Sequence, residues 1–163
     1  MDSARARAAA VEVADAPADG GDAQWCLAQY YAELRERFAA DVEAAVGAAR
    51  PADFMPPRGW FFVARHDGRI VGCGGLRRVD PQLAEVKRMW VDRAARGHGI
   101  GGRLLDAIEA RARDAGIRTL RLDTNASLTE AIAMYSRRGY RDVPAFNEEP
   151  YAHRWFAKDL TTG

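Results

Sequence analysis

Cysteine is scarce in this chain, with only Cys26 and Cys73 among 163 residues. Two thiols so far apart make neither a disulfide framework nor the paired spacing of a zinc site. No apolar run approaches the ~18 residues a membrane span needs. The N-terminus carries arginines without the apolar core of a secretory signal, so a cytoplasmic location is expected. Excess charge of one sign is missing too. Lys and Arg number 24 against 23 Asp and Glu, a formal net charge of +1. That balance excludes global attraction to nucleic acid or anionic membranes and confines any cationic function to a local patch. Histidines number three, and no cluster has metal-ligand spacing, so no metal is expected. What is present is ordinary for a globular protein: 48% hydrophobic and 29% charged residues. The length fits a single domain over 1–163 with one sizeable core, residues 1–6 being expected to be disordered.

Periodicity gives the elements. Val11 and Val13 alternate with Glu12 in a first strand over 8–14. Asp22 is placed to cap a helix whose Cys26, Tyr30, Leu34 and Phe38 recur every four residues. A second helical piece is expected over 40–49. Residues 51–59, PADFMPPRG, form a proline-punctuated loop, read as a connector or as a lid over a pocket. Residues 60–65 and 69–76 make a hairpin turned at His66-Asp67-Gly68. Gly72, Gly74 and Gly75 in its second arm suggest a bulge or a close backbone approach. A strand over 85–91 precedes a helix from Ile100 to about Ala115, with Gly116 at its C′ position. A strand over 118–123 follows, parallel to the preceding one by crossover logic. Ser127 and Glu130 have capping-box spacing for a helix ending at Gly139, and the tail returns as strands.

The organising stretch runs from Glu85 to Leu105. Glycines at 97, 99, 101 and 102 can adopt positive φ and leave their amides bare. A helix starting there offers unpaired N–H groups and the positive end of its dipole, a phosphate site in the making. With Arg93, Arg96 and Arg103 around it, the expected ligand is a polyanion.

Arg96-Gly97-His98-Gly99-Ile100-Gly101 resembles the R/Q-x-x-G-x-G/A loop of the GNAT superfamily of acetyl-CoA-dependent N-acetyltransferases. The resemblance runs from Trp60 to Leu160 and is strongest from Glu85 to Tyr140. It implies an α+β, three-layer fold, with a central mixed, mostly antiparallel sheet flanked by helices. It also implies acetyl-CoA as cosubstrate, held at Arg96, Gly97, His98, Gly99, Ile100, Gly101, Gly102 and Arg103. The strand backbone at Met89 and Val91 and the polar group of Asn125 would meet the pantetheine arm, Asn125 being equally readable as a turn residue. Tyr135, in the run AIAMYSRRGY before Gly139-Tyr140, matches the family's acid for the departing thiolate, although its spacing with Leu128, Ala131 and Ile132 also suits a core tyrosine. Glu85 aligns with the glutamate used as base in histone-type members; read alone, it is a strand carboxylate paired with Lys87 and made a poorer base by that pairing.

Alternatives stand beside this reading. Gly97-x-Gly99-x-x-Gly102 satisfies the dinucleotide fingerprint, with Asp123 where a ribose-binding acid belongs. However, Asp92 to Arg96 separate the strand from the first glycine, and a Rossmann turn puts its glycines directly after the strand. Cys73 is read as a buried small residue rather than an acyl-carrying nucleophile. Tyr151, His153 and Trp155 alternate on a late strand, either as an ordinary strand face or, with Glu148 and Glu149 of the preceding loop to draw a cation, as one side of an acceptor site. The expected acceptor is therefore a small-molecule amine, with protein amino groups and a non-catalytic acyl-CoA-binding role as alternatives. A monomer or homodimer is expected, without nucleic acid or membrane partners.

Overall fold

The structure is a computed structural model that describes residues 10–38 and 50–161; the expectations for residues 1–6 and 40–49 lie outside them. Among the described residues seven strands form one sheet: β1 (Val11–Asp15), β2 (Gly59–His66), β3 (Arg69–Asp80), β4 (Leu83–Val91), β5 (Thr119–Thr124), β6 (Arg141–Asp142) and β7 (Arg154–Asp159). Their order across the sheet is β1-β2-β3-β4-β5-β7-β6. Among the described residues only β4 and β5 pair in parallel; β1 through β4 form an antiparallel meander. The helices are α1 (Gly21–Phe38), α2 (Ile100–Asp114) and α3 (Thr129–Arg137).

Alternation along β2 shows why the sheet needs cover on both sides. Phe62 and Ala64 enter one core cluster and Phe61 and Val63 the other, as the period-2 strand geometry requires. The first cluster packs under α2 and α3, through Ile100, Leu104, Leu105, Ile108, Ala112 and Tyr135. The second packs under α1, through Ala23, Cys26, Leu27 and Tyr31. Leu104, Leu105 and Ile108 are completely buried, and truncating any of them to Ala should cost about 2–5 kcal/mol.

Local signals mostly act as their chemistry dictates. Asp67 and Gly68, both at positive φ, give the two-residue hairpin its type I′ form. Gly116, at φ +79, donates to Arg113 O while Ile117 donates to Ala112 O, a Schellman stop for α2.

Several boundaries differ from expectation. Strand β1 begins at Val11, not residue 8. Helix α1 begins at Gly21, so Asp22 sits in its first turn and pairs with Arg65. The expected capping box does not form: Leu128 is the N-cap of α3, and Ser127 Oγ donates to Asn125 Oδ1 instead. Residues Pro51–Phe54 form a 3₁₀ turn whose Phe54 is buried against the sheet. Strand β7 starts only at Arg154, which leaves Tyr151 and His153 in the preceding loop.

Two irregularities of β4 shape the site. Its parallel pairing with β5 runs through Leu83↔Thr119, Ala84↔Leu120 and Glu85↔Arg121. Beyond Glu85 no further β4–β5 pair forms among the described residues, so the two strands part. On its other side β4 is bulged against β3. Cys73 pairs with Trp90 but Gly75 with Lys87, leaving Gly74 opposite both Arg88 and Met89. A Cβ on Gly72 would lie 2.8 Å from Trp90 O, the expected close backbone approach, whereas one on Gly74 would meet a side chain, Met89 Sδ, at 2.6 Å.

Candidate active site

The parted strands open into a cavity of ≈ 1400 Å³, bounded by the ends of β4 and β5, the start of α2, α3 and the second half of α1. At its floor, Gly99 caps α2 in the left-handed region (φ 79, ψ 13) with no side-chain cap bond. A residue with a Cβ would be strained there. The first intrahelical bond runs from Arg103 N to Gly99 O, 3.1 Å, so the preceding amides have no acceptor within the helix. Gly97, Gly99, Ile100, Gly101 and Gly102 all face the cavity. A Cβ on Gly101 would meet Met134 Sδ at 2.8 Å, which shows how closely α3 approaches this turn.

Met89 and Val91 line the same cavity, on the part of β4 that no longer pairs with β5. Backbone groups left unpaired along such an edge need other partners. Arg96 lines it as well, but two of its donors are engaged: Nε bonds Val91 O at 3.0 Å and Nη2 pairs with Glu33 of α1. Glu33 also accepts from Trp90 Nε1 at 3.1 Å and Arg37 Nε at 3.3 Å. This carboxylate, which orients Arg96 from 63 residues away, had no local signal in the sequence.

Two residues expected at the ligand face elsewhere. Arg103 projects from the opposite side of α2 and bonds Val11 O at 3.3 Å. The side chain of His98 is not among the cavity's lining groups. Asn125 does line it, yet Nδ2 donates to Tyr151 O at 2.8 Å and Oδ1 accepts from Ser127. Its amide thus ties two loops together and holds the rim.

Tyr135 is buried, with its ring edge-on to Tyr140 at 5.6 Å. Burial, then the neighbouring Tyr30 and Asp123, push its phenol well above the ordinary tyrosine value, which favours the protonated form near neutral pH. Glu85 is also buried, but Arg77 and Arg121 hold both its oxygens, Arg121 Nε at 3.1 Å. Burial alone would raise its pKa. The Arg77 hydrogen bond and the charges of Lys87, Arg77 and Arg121 outweigh that and hold it below the usual range. Lys87, expected as its partner, lies 3.7 Å from Asp123. Asp123 lines the cavity; Glu85 does not.

A bare-amide turn, an opened strand pair and a protonated phenol in one cavity suit a diphosphate-tailed thioester. The family model for the GNAT acetyltransferase family matches residues 24–140. The chain belongs to that family. Its fold is the GNAT fold. Among its relatives, an "IAA acetyltransferase" from Azospirillum brasilense is 44% identical over 93 residues, 56% of this chain and 59% of that protein. The chain thus spans less than two thirds of that relative's length. An acetyltransferase of the GNAT family from Staphylococcus aureus Mu50 superposes with a TM-score of 0.75 at 20% identity, covering 93% of this chain and 99% of that one. A GNAT acetyltransferase from Elizabethkingia anophelis, solved with acetyl-CoA bound, gives a TM-score of 0.64 at 18% identity over 92% and 98% of the chains.

Proposed function

We propose that this GNAT chain moves the acetyl group of acetyl-CoA to the primary amine of a small molecule, by direct attack within a ternary complex. The observation that carries the reading is that the parted ends of β4 and β5 and the bare amides of the α2 turn line one cavity. The amides of Gly99, Ile100, Gly101 and Gly102 hold the diphosphate, and the freed β4 edge at Met89 and Val91 receives the pantetheine amides. The thioester carbon then lies between Tyr135 and the acceptor end of the cavity.

An amine of pKa ~10.4 arrives charged and must lose a proton. Asp123 lines the cavity, as do Glu33, Asp53, Glu130 and Glu149; it is the one at the end of β5, and we assign it that proton, directly or through water. The neutral nitrogen attacks the thioester carbon: the C–N bond forms and the C–S bond breaks. The departing thiolate takes its proton from Tyr135, which solvent later reprotonates. Glu85, committed to Arg77 and Arg121, holds those two arginines across three strands instead of acting as the base. The relative's name, "IAA acetyltransferase", supports a small compound as acceptor.

The test is an acceptor screen read as free CoA release, with small amines in one set and peptides with free amino groups in the other. Turnover of small amines is expected. Turnover confined to peptides would contradict the acceptor class, and tight CoA binding without any turnover would contradict the enzyme reading.

A further inference from the structure

Most cations around the cavity are paired. Arg37 and Arg96 meet Glu33, Arg77 meets Glu85, Lys87 meets Asp123, and Arg138 meets Asp106. Arg88 lines the same cavity but has no carboxylate partner among the described residues. Its Nε is buried without a hydrogen-bond partner, a state that is costly for a polar group.

The backbone makes Arg88 more unusual still. It is the bulge residue of β4 and sits at φ +59, where glycine is favoured and a long side chain is strained. Cys73 Sγ donates to Arg88 O at 3.3 Å and pins the bulge. The bulge turns the side chain toward α1, where the guanidinium carbon lies 5.7 Å from the centre of the Tyr31 ring. Strain and an unpaired cation are thus kept together on the stretch of β4 that lines the cavity. Tyr30 sits nearby: burial pushes its phenol up to about 12, while the Arg88 charge opposes and the Asp123 charge adds to that shift. The cavity therefore presents a cation and an anion around one tyrosine.

We propose that Arg88 is the receptor for a carboxylate on the acetyl acceptor, so that the acceptor is an amino acid or a similar amino carboxylate. A guanidinium matches a planar carboxylate bidentately. The single charge of the Arg88 guanidinium balances one carboxylate. Asp123 then meets the acceptor's amine. The assignment rests on the acetyl-transfer reading above and narrows it.

The experiment compares amino acids with their carboxamides and with aminoalkyl phosphates, by CoA release, in the wild type, Arg88→Gly and Arg88→Lys. Glycine suits φ +59, so Arg88→Gly keeps the bulge while removing the guanidinium. Donor binding is followed separately by calorimetry with CoA. For the wild type, kcat/KM should favour the acids over the amides by on the order of 10- to 100-fold, the range for hydrogen bonds to a charged group. In Arg88→Gly the acids should fall to the amide level with CoA affinity unchanged, and Arg88→Lys should recover part of the preference. Equal use of acids and amides, preference for the phosphates, or a preference that survives in Arg88→Gly overturns the Arg88 assignment and leaves acetyl transfer standing. No turnover of any compound overturns it too, and if CoA also fails to bind, the acetyltransferase reading falls with it.

Discussion

Changing Tyr135 to Phe deletes one oxygen from a ring that its neighbours already hold. Tyr140 and Phe156 pack against that ring, with centroids at 5.6 and 6.3 Å, and these contacts survive the change. Stability should therefore move by less than about 1 kcal/mol. Catalysis should suffer far more, because a positioned general acid contributes on the order of 10²- to 10⁴-fold. The lower end applies here: a thiolate whose conjugate acid has a pKa of ~8.5 can also take a proton from water near neutral pH. A loss of about 100-fold in kcat, about 2.7 kcal/mol, is expected. Steady-state assay of thiol release should show this loss with the acetyl-CoA KM within about twofold of wild type, the pattern of an interaction made mainly in the transition state. Burial keeps the phenol protonated, so the basic-going rise of the pH–rate profile should persist in the variant. Wild-type kcat would refute the acid role. An increase in KM alone would reduce Tyr135 to a packing residue.

Gly101→Leu forces a side chain toward Met134 or into the cavity and should raise the acetyl-CoA KM by about tenfold or more, about 1.4 kcal/mol, with an unchanged circular-dichroism spectrum. Glu85→Gln leaves Arg77 and Arg121 facing each other. A fully buried broken pair costs about 3–5 kcal/mol, and the partial exposure of both arginines reduces this to about 2 kcal/mol in denaturant melts. Because the Glu85 pKa is lowered from 4.5, its stabilisation is present above that value and is lost as pH falls through the folded-state pKa; the variant should lack this acid-side component. Asp123→Asn should lower kcat/KM for the amine by on the order of 10²-fold or more, and wild-type turnover would move the amine's proton elsewhere.

The α2 turn could be read in the sequence because its physics is local. Glycines at fixed spacing, an amphipathic run and a terminal glycine suffice to place a helix start and stop. The same holds for the Asp67-Gly68 hairpin and for the close backbone approach signalled by Gly72. Other features depend on contacts far apart in the chain. Glu85 was read beside Lys87, two residues on, whereas its partners lie on the adjacent strands at 77 and 121. The parting of β4 from β5 has no residue signature, since it is a failure to pair. Arg88 gave no hint of positive φ, because its bulge arises from the register of β3 against β4. The capping box misled for the opposite reason: Ser127 found a nearer partner in Asn125.

The central claim is that main-chain nitrogens at the start of α2 grip the diphosphate of coenzyme A. Backbone amide NMR during a CoA titration tests it most directly. The amides of Gly99, Ile100, Gly101 and Gly102 should show the largest downfield shifts and saturate with the calorimetric affinity. Saturable binding that leaves those four signals in place, with the shifts on another surface, would contradict the account.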